Sequence, residues 1–275
     1  MIRRTVFWIW AAVSTLGAAE DLFFIQLSDP QIGMYAANKG FEQDAANLEF
    51  AVAAVNRLKP AFVVVTGDLI NQEGNSAQMA EYRRILGKVN PAIPVYNLPG
   101  NHDVGLEPTA ETLAGYRKAL GKDYYSFRAG PVYAIVLNSP LIYAPGKAPE
   151  EFHKQERWLQ AELKKAQASG APHVIAFQHH PFFLRDVDEK DAYENIPRER
   201  RIAYLNLLRD HGVKYVFTGH FHQNAVARYG DMEIVVSGPV GKPLRGAKSG
   251  FRIIKVTGSG IEHKYYDFGD LPVKP

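Results

Sequence analysis

Apolar residues fall into two kinds of pattern along this chain. Short, nearly continuous runs at residues 22–27, 61–66 (AFVVVT), 93–97 (IPVYN), 173–178 and 213–218 have the length and β-branched content of buried strands. Between them the spacing changes to three and four. Phe41, Ala45, Leu48, Val52, Val55 and Leu58 form the stripe of an amphipathic helix, and Pro60 closes it. Residues 77–89, the segment carrying Phe152, Leu159 and Leu163 on one face, and residues 200–208 read as further helices. The alternation predicts an α/β domain with a largely parallel sheet and right-handed crossovers. A Tyr-rich stretch at 124–138 reads as a hairpin, and residues 232–267 alternate as antiparallel strands do. With no repeat and no Pro/Ser-rich hinge, residues 20–275 form one domain.

Composition narrows the chemistry. The 275 residues are 46% hydrophobic and 22% charged, which excludes disorder and collagen-like structure. The formal charge of +3 is too near neutral to predict a nucleic-acid-binding surface. There is no Cys, so no disulfide scaffold, thiol nucleophile or Cys-bound zinc. Any metal must be held by Asp, Asn, Gln and His, and the nine His become the residues to place.

The first twenty residues form a separate object. Arg3 and Arg4 precede an apolar run from Thr5 to Leu16, and Gly17, Ala18 and Ala19 supply the small side chains of a cleavage site. The run falls short of the ~20 residues that span a bilayer, so no membrane span remains once a signal comprising residues 1–19 is removed. The expected location is periplasmic or secreted. The Arg pair also fits a twin-arginine signal, although no Ser precedes it and Trp8 and Trp10 follow.

Five predicted strands end in polar residues of metal-ligand type: Asp29 and Gln31 in SDPQIG, Asp68 in TGDLIN, Asn101 with His102 and Asp103 in PGNHD, His179 and His180 in QHHP, and His220 and His222 in GHFH. Singly, each is ordinary turn chemistry. Together they lie where open α/β sheets gather ligands, beyond the carboxyl ends of strands, with Gly67, Gly100 and Gly219 allowing close backbone approach. Two Asp, two amides and three His suit a pair of divalent cations ~3.5–4 Å apart sharing a carboxylate. Such a pocket keeps net positive charge, attracts phosphate and brings the pKa of a bound water toward neutrality. His102 lies beside the cations, placed to protonate the leaving oxygen of an in-line displacement.

The ordered set D-x-Q, GD, GNHD, H and GHxH resembles the calcineurin-like metallophosphoesterases over nearly the whole chain after the signal. Within that superfamily it is most similar to the calcineurin-like phosphoesterase domain-containing serine/threonine phosphatase subfamily. The shared pattern covers residues 29–33 (DPQIG), 67–70 (GDLI), 100–105 (GNHDVG), 108–112 (PTAET), 137–139 (LNS), 177–181 (FQHHP) and 219–222 (GHFH). The resemblance implies a four-layered αββα sandwich of two mixed β-sheets flanked by helices. It implies a first metal on Asp29, Gln31, Asp68 and His222, a second on Asp68, Asn101, His179 and His220, Asp68 as the bridge and His102 as the catalytic histidine. The cofactors would be two divalent ions among Mn, Fe, Zn and Mg. The activity would be hydrolysis of phosphomonoesters or phosphodiesters of a protein or small molecule by a metal-bridging hydroxide. The alternative is a catalytically weak scaffold of the same fold used for protein binding, which would typically have lost several ligands.

Most of the superfamily has His where this chain has Gln31, a weaker neutral ligand. Asn71 stands where purple acid phosphatases carry a metal-ligand Tyr, and GDLIN lacks the Asp-Arg-Gly continuation of the large protein phosphatases. Among the remaining residues, His180 reads as pocket wall and Asp103 as a brace for its own loop. His153, His173, His211 and His263 read as surface or satisfied histidines, and Asn138 and Ser139 as supports near the site. The acidic run at 185–194 reads as a solvated loop; because it directly follows a ligand loop, the further expectation is a lid that disfavours polyanionic substrates. Substrate identity and oligomeric state leave no mark in the sequence.

Overall fold

The structure, a computed structural model, describes residues 21–274; the expected secretion signal lies outside the described residues. The first half follows the predicted rhythm: β1 (Leu22–Leu27), α1 (Glu42–Leu58), β2 (Val63–Thr66), α2 (Ser76–Leu86) and β3 (Val95–Leu98), with the three strands paired in parallel. Helix α1 ends where Lys59 turns left-handed (φ 57°) and its N–H donates to the Val55 carbonyl, one residue before Pro60. Next come α3 (Asn101–Val104), α4 (Ala110–Leu120) and the expected hairpin, β4 (Tyr125–Ala129) with β5 (Val132–Val136). The chain continues through α5 (Ser139–Tyr143), α6 (Pro149–Ala168), β6 (His173–Phe177), α7 (Arg198–Asp210) and β7 (Val213–Thr218). Four strands close it: β8 (Ala225–Tyr229), β9 (Met232–Val236), β10 (Gly250–Val256) and β11 (Ile261–Asp267).

These strands build two mixed sheets, ordered β11-β10-β1-β2-β3 and β4-β5-β6-β7-β9-β8. The antiparallel expectation for the tail holds for β10 with β11. It needs correction at β9, which lies antiparallel to β8 but parallel to β7. Alternation along each strand shows why two sheets stack. Phe24 and Val64 point into one cluster with Val136, Phe177, Phe217 and Val235, drawn from both sheets. Ile25, Leu27, Val63 and Val65 face the opposite way, against Leu48, Val52 and Val55 of α1. The second sheet turns Ala176 and Val216 toward Leu159 and Leu163 of α6 and Leu205 and Leu208 of α7. Helix, sheet, sheet, helix is the result, as expected.

Aromatic packing locks the two sheets together. Phe24 stacks on Phe62 with ring centroids 4.5 Å apart and meets Phe177 and Phe217 edge-on at 5.7 and 5.9 Å, geometries worth about 0.5–1.5 kcal/mol each beyond burial. The carboxyl ends of β1, β2 and β3 in one sheet and of β6 and β7 in the other are thereby held at fixed separation, and each runs into a loop carrying the candidate ligands. No described helix is long and apolar enough to cross a membrane.

Candidate metal centre

The side chains of Asp29, Asp68, Asn101, His179, His220 and His222 converge at one place, and Gln31 adjoins it through its backbone N–H, which donates to Asp68 O at 2.8 Å. Asp68, His179 and His220 each offer a ligand atom within 4.8 Å of the others, and so do Asp29, Asp68 and His222. The two groups share Asp68. His179 Nε2 lies 3.2 Å from Asp68 Oδ2, 3.2 Å from Asn101 Oδ1 and 3.2 Å from His220 Nδ1. His222 Nε2 lies 3.6 Å from Asp29 Oδ1. His102 adjoins the cluster through its backbone N–H, which donates to Asp68 Oδ1 at 2.9 Å.

The backbone is bent to achieve this. Asp29, Gln31, Asp68, His220 and His222 all adopt left-handed φ values between 42° and 70°. For non-glycine residues this costs of order 1 kcal/mol or more each and persists only where the surroundings enforce it. Close approach does the rest: a Cβ at Gly100 would sit 2.1 Å from Asp68 Oδ1, and one at Gly219 would sit 2.6 Å from Asp29 Oδ2. Asp103 braces the turn as expected, accepting from Leu69 N, Ile70 N and Gly100 N at 2.9, 3.2 and 2.8 Å.

Every histidine of the centre is tied at one nitrogen to a backbone carbonyl. His179 Nδ1–H donates to Thr66 O (2.9 Å), His220 Nε2–H to Tyr193 O (2.8 Å), His222 Nδ1–H to Lys242 O (2.7 Å) and His102 Nδ1–H to Asn71 O (2.7 Å). A carbonyl can only accept, so each ring must carry its proton there. The other nitrogen of His179, His220 and His222 is left to the cluster, the arrangement that orients metal-ligating imidazoles.

Charge is finely balanced. Burial pushes Asp68 up, but His179, His102 and His220 outweigh it and hold the carboxyl well below the usual range. Burial likewise raises Asp29, and His222 and His179 only partly offset it. Burial opposes a charged His179, yet Asp68 and Asp29 push it up to about 9. Burial and His179 together push His220 down to about 3, keeping it neutral. Two buried carboxylates thus call for positive charge between them, which a proton on His179 or a metal cation supplies.

Metal ions fit this donor set. Gln31 Oε1 is buried and has no hydrogen-bond partner, while its Nε2 donates to Asn71 Oδ1 at 3.1 Å. A buried, unpaired amide oxygen on a residue whose backbone N–H donates to Asp68 O, together with two carboxylates and three oriented imidazoles, makes a donor set that an oxygen- and nitrogen-binding divalent cation accepts.

The remaining residues sort as follows. Ser139 Oγ accepts from His179 N (3.1 Å) and His180 N (2.8 Å), fixing the ligand loop, and Asn138 caps α5. His180 stacks on Tyr143 and borders His220 without joining either ligand group. His153, His173, His211 and His263 are each bonded to groups outside the cluster, namely Glu156, Thr257 O, Leu207 O and Glu233.

The acidic run at 185–194 is a braced loop. Glu189 accepts from Leu184 N and Arg185 N, Asp188 pairs with Arg198 and Glu194 with Arg245. Fully buried Arg201 donates to Val187 O and Glu189 O, both at 2.8 Å. The loop delivers a residue that the sequence did not single out, Tyr193. Its hydroxyl accepts from Asn101 Nδ2 at 3.0 Å and its carbonyl holds His220. Nothing in the charge pattern distinguishes Tyr193; only its place after a ligand loop hints at it.

Similarity to known proteins agrees with this geometry. Residues 24–224 match the Calcineurin-like phosphoesterase family. The chain is 38% identical over 268 residues to the human serine/threonine-protein phosphatase CPPED1, covering 92% of this chain and 85% of that protein. The fold is similar to that of a purple acid phosphatase, PPD1, from yellow lupin seeds (TM-score 0.70, 14% identity, 92% of this chain and 52% of that one). It is also similar to that of a dimetal phosphatase from Danio rerio (TM-score 0.58, 16% identity, 90% and 99%).

Proposed function

The chain belongs to the calcineurin-like phosphoesterase family, and from that premise we propose that it is a dinuclear metal-dependent phosphatase. Asp29, Gln31, Asp68 and His222 would hold one cation; Asp68, Asn101, His179 and His220 would hold the other. The observation that carries this reading is the pair of ligand groups meeting at Asp68. When bound, the cations offer positive charge to the phosphoryl oxygens and activate a water molecule toward hydroxide.

The protein's own part follows from the geometry. Two carboxylates against two divalent charges leave the pocket net positive, which draws in the phosphate. Asn71 O fixes the His102 ring through Nδ1, and Nε2 has no protein hydrogen bond among the described residues. In the imidazolium form His102 would therefore offer a proton at Nε2 to the leaving-group oxygen, general-acid work worth about 10²–10⁴-fold. Tyr193 covers the second position from outside and keeps Asn101 Oδ1 turned inward by accepting a hydrogen bond from its amide nitrogen. A ligand set in which only Gln31 departs from the family pattern, and departs to another metal-binding side chain, favours this enzyme over a binding scaffold. Residues 1–19 are proposed to direct the protein to the periplasm or outside the cell, which sequencing the amino terminus of the exported protein tests.

The testing experiment is phosphate release from a panel of phosphomonoesters, including a phosphoserine peptide, and phosphodiesters with Mn, Fe, Zn or Mg. Chelation abolishes turnover and one of these cations restores it. Turnover indifferent to chelation overturns the proposal.

A further inference from the structure

Gln31 is a neutral donor in the cluster, and an amide can be turned either way. If its NH2 faced the cation, it would repel it. What decides its orientation lies outside the ligand set.

The chain of contacts begins at groups whose direction is beyond doubt. Backbone Asn71 N and Gln72 N can only donate, and both reach Gln78 Oε1, at 3.1 and 2.9 Å, the Asn71 N–H being shared with Ile32 O at 3.0 Å. Gln78 is buried, so its Nε2 is forced to the other side, where it donates to Asn38 Oδ1 at 2.9 Å. The same Asn38 oxygen accepts from Asn71 Nδ2 at 2.7 Å. Asn71 Oδ1 must then face Gln31, whose Nε2 donates to it at 3.1 Å. Gln31 Oε1 is left over, buried and unpaired. Gly33 is part of the device, because a Cβ there would stand 2.2 Å from Gln78 Nε2.

We propose that Gln78, Asn38 and Asn71 form an amide relay that polarises Gln31, so that two main-chain N–H groups dictate which atom it presents to the first cation. The relay rests on the metal-centre reading above. Gln78, Asn38 and Asn71 are positioning residues acting through Gln31. Asn71 also anchors His102 through its carbonyl, so one residue sets both a ligand and the proton donor.

The relay can be run backward. Gln78→Glu still satisfies both backbone N–H groups but presents an acceptor to Asn38. Asn38 must flip, Asn71 must flip after it, and Gln31 turns its NH2 toward the cation. A carboxylate at position 31 inverts this requirement: it can only accept, so it opposes Asn71 Oδ1 in the native sense and is matched by Asn71 Nδ2 in the reversed one.

The test titrates metal-free full-length protein with Mn²⁺, counting free ion by its electron paramagnetic resonance signal. Wild type binds two ions. Gln78→Glu weakens one event by about 10–100-fold, the usual effect of disturbing a ligand's support. In a Gln31→Glu background, where the carboxylate needs the donor that the reversed relay supplies, the same Gln78→Glu change does not weaken binding. An unchanged isotherm for Gln78→Glu, or equal losses in both backgrounds, overturns the relay. If Gln78→Glu fails to fold, Asn71→Asp, which keeps an acceptor opposite Gln31, retains the event, and Asn71→Leu loses it; the two behaving alike again overturns the relay. Absence of Mn²⁺ binding by wild type refutes the metal centre itself.

Discussion

Replacing His102 with Ala separates chemistry from metal binding. The contact that His102 makes with the cluster is its backbone N–H on Asp68 Oδ1 at 2.9 Å, and truncation leaves it in place. The side chain is only half-buried and makes one hydrogen bond, to Asn71 O, so the stability cost is about 1 kcal/mol. Loss of a positioned general acid lowers turnover by about 10²–10⁴-fold, or about 3–5 kcal/mol of transition-state stabilisation. The loss depends on how badly the leaving group needs a proton. The assay compares kcat of wild type and His102→Ala on an alkyl phosphoester and on a nitrophenyl ester, alongside metal content. The alkyl substrate shows the full loss and the nitrophenyl substrate a much smaller one, with metal content unchanged. Equal losses on both substrates, or loss of metal, would refute the proton-donor assignment.

Three further changes probe the surroundings. Gly100→Ala places a Cβ 2.1 Å from Asp68 Oδ1 and 2.3 Å from Asp68 N; backbone cannot yield there, so the variant loses both metal and at least about 1–3 kcal/mol of stability in denaturant titration. Burial raises Asp44 from 3.8 to about 6 against the N–H groups of Gly33 and Tyr35. The native state therefore binds the extra proton between those values, and this group's contribution to stability falls as pH rises from about 4 to 6, by up to about 3 kcal/mol; Asp44→Asn removes that slope, which unfolding midpoints across the window measure. Arg201→Ala strips donors from Ile196 O, Val187 O and Glu189 O, and limited proteolysis within residues 184–195 precedes global unfolding; protection equal to wild type would deny Arg201 its role in bracing the loop.

Much of the site was legible because its residues are short-range punctuation at strand ends. A run such as AFVVVT stops being apolar at Gly67-Asp68, and that break coincides with the place where the sheet delivers its ligands. The fold's first half was legible for a similar reason, since βαβαβ periodicity is local. What escaped is non-local. Residues 225–229 alternate weakly and half face solvent, so β8 carries no strong signal. Nothing in the period of β10 says that it returns to pair with β1. Helix α4 did have a local signal, the reciprocal Thr109 and Thr112 capping contacts within PTAET. Tyr193 and the amides of Asn38, Asn71 and Gln78 act through contacts between loops and the start of α2, where composition alone reads as turn or solvated surface.

Metal content by elemental analysis, on purified full-length protein reconstituted with Mn²⁺ and on its Asp68→Asn variant, goes directly to the claim that strand ends from two sheets meet around a shared carboxylate. The account predicts two ions per chain in the wild type and loss of both sites' affinity in the variant, with turnover lost in step. A wild type that takes up no cation, or a variant that keeps two and remains active, contradicts it.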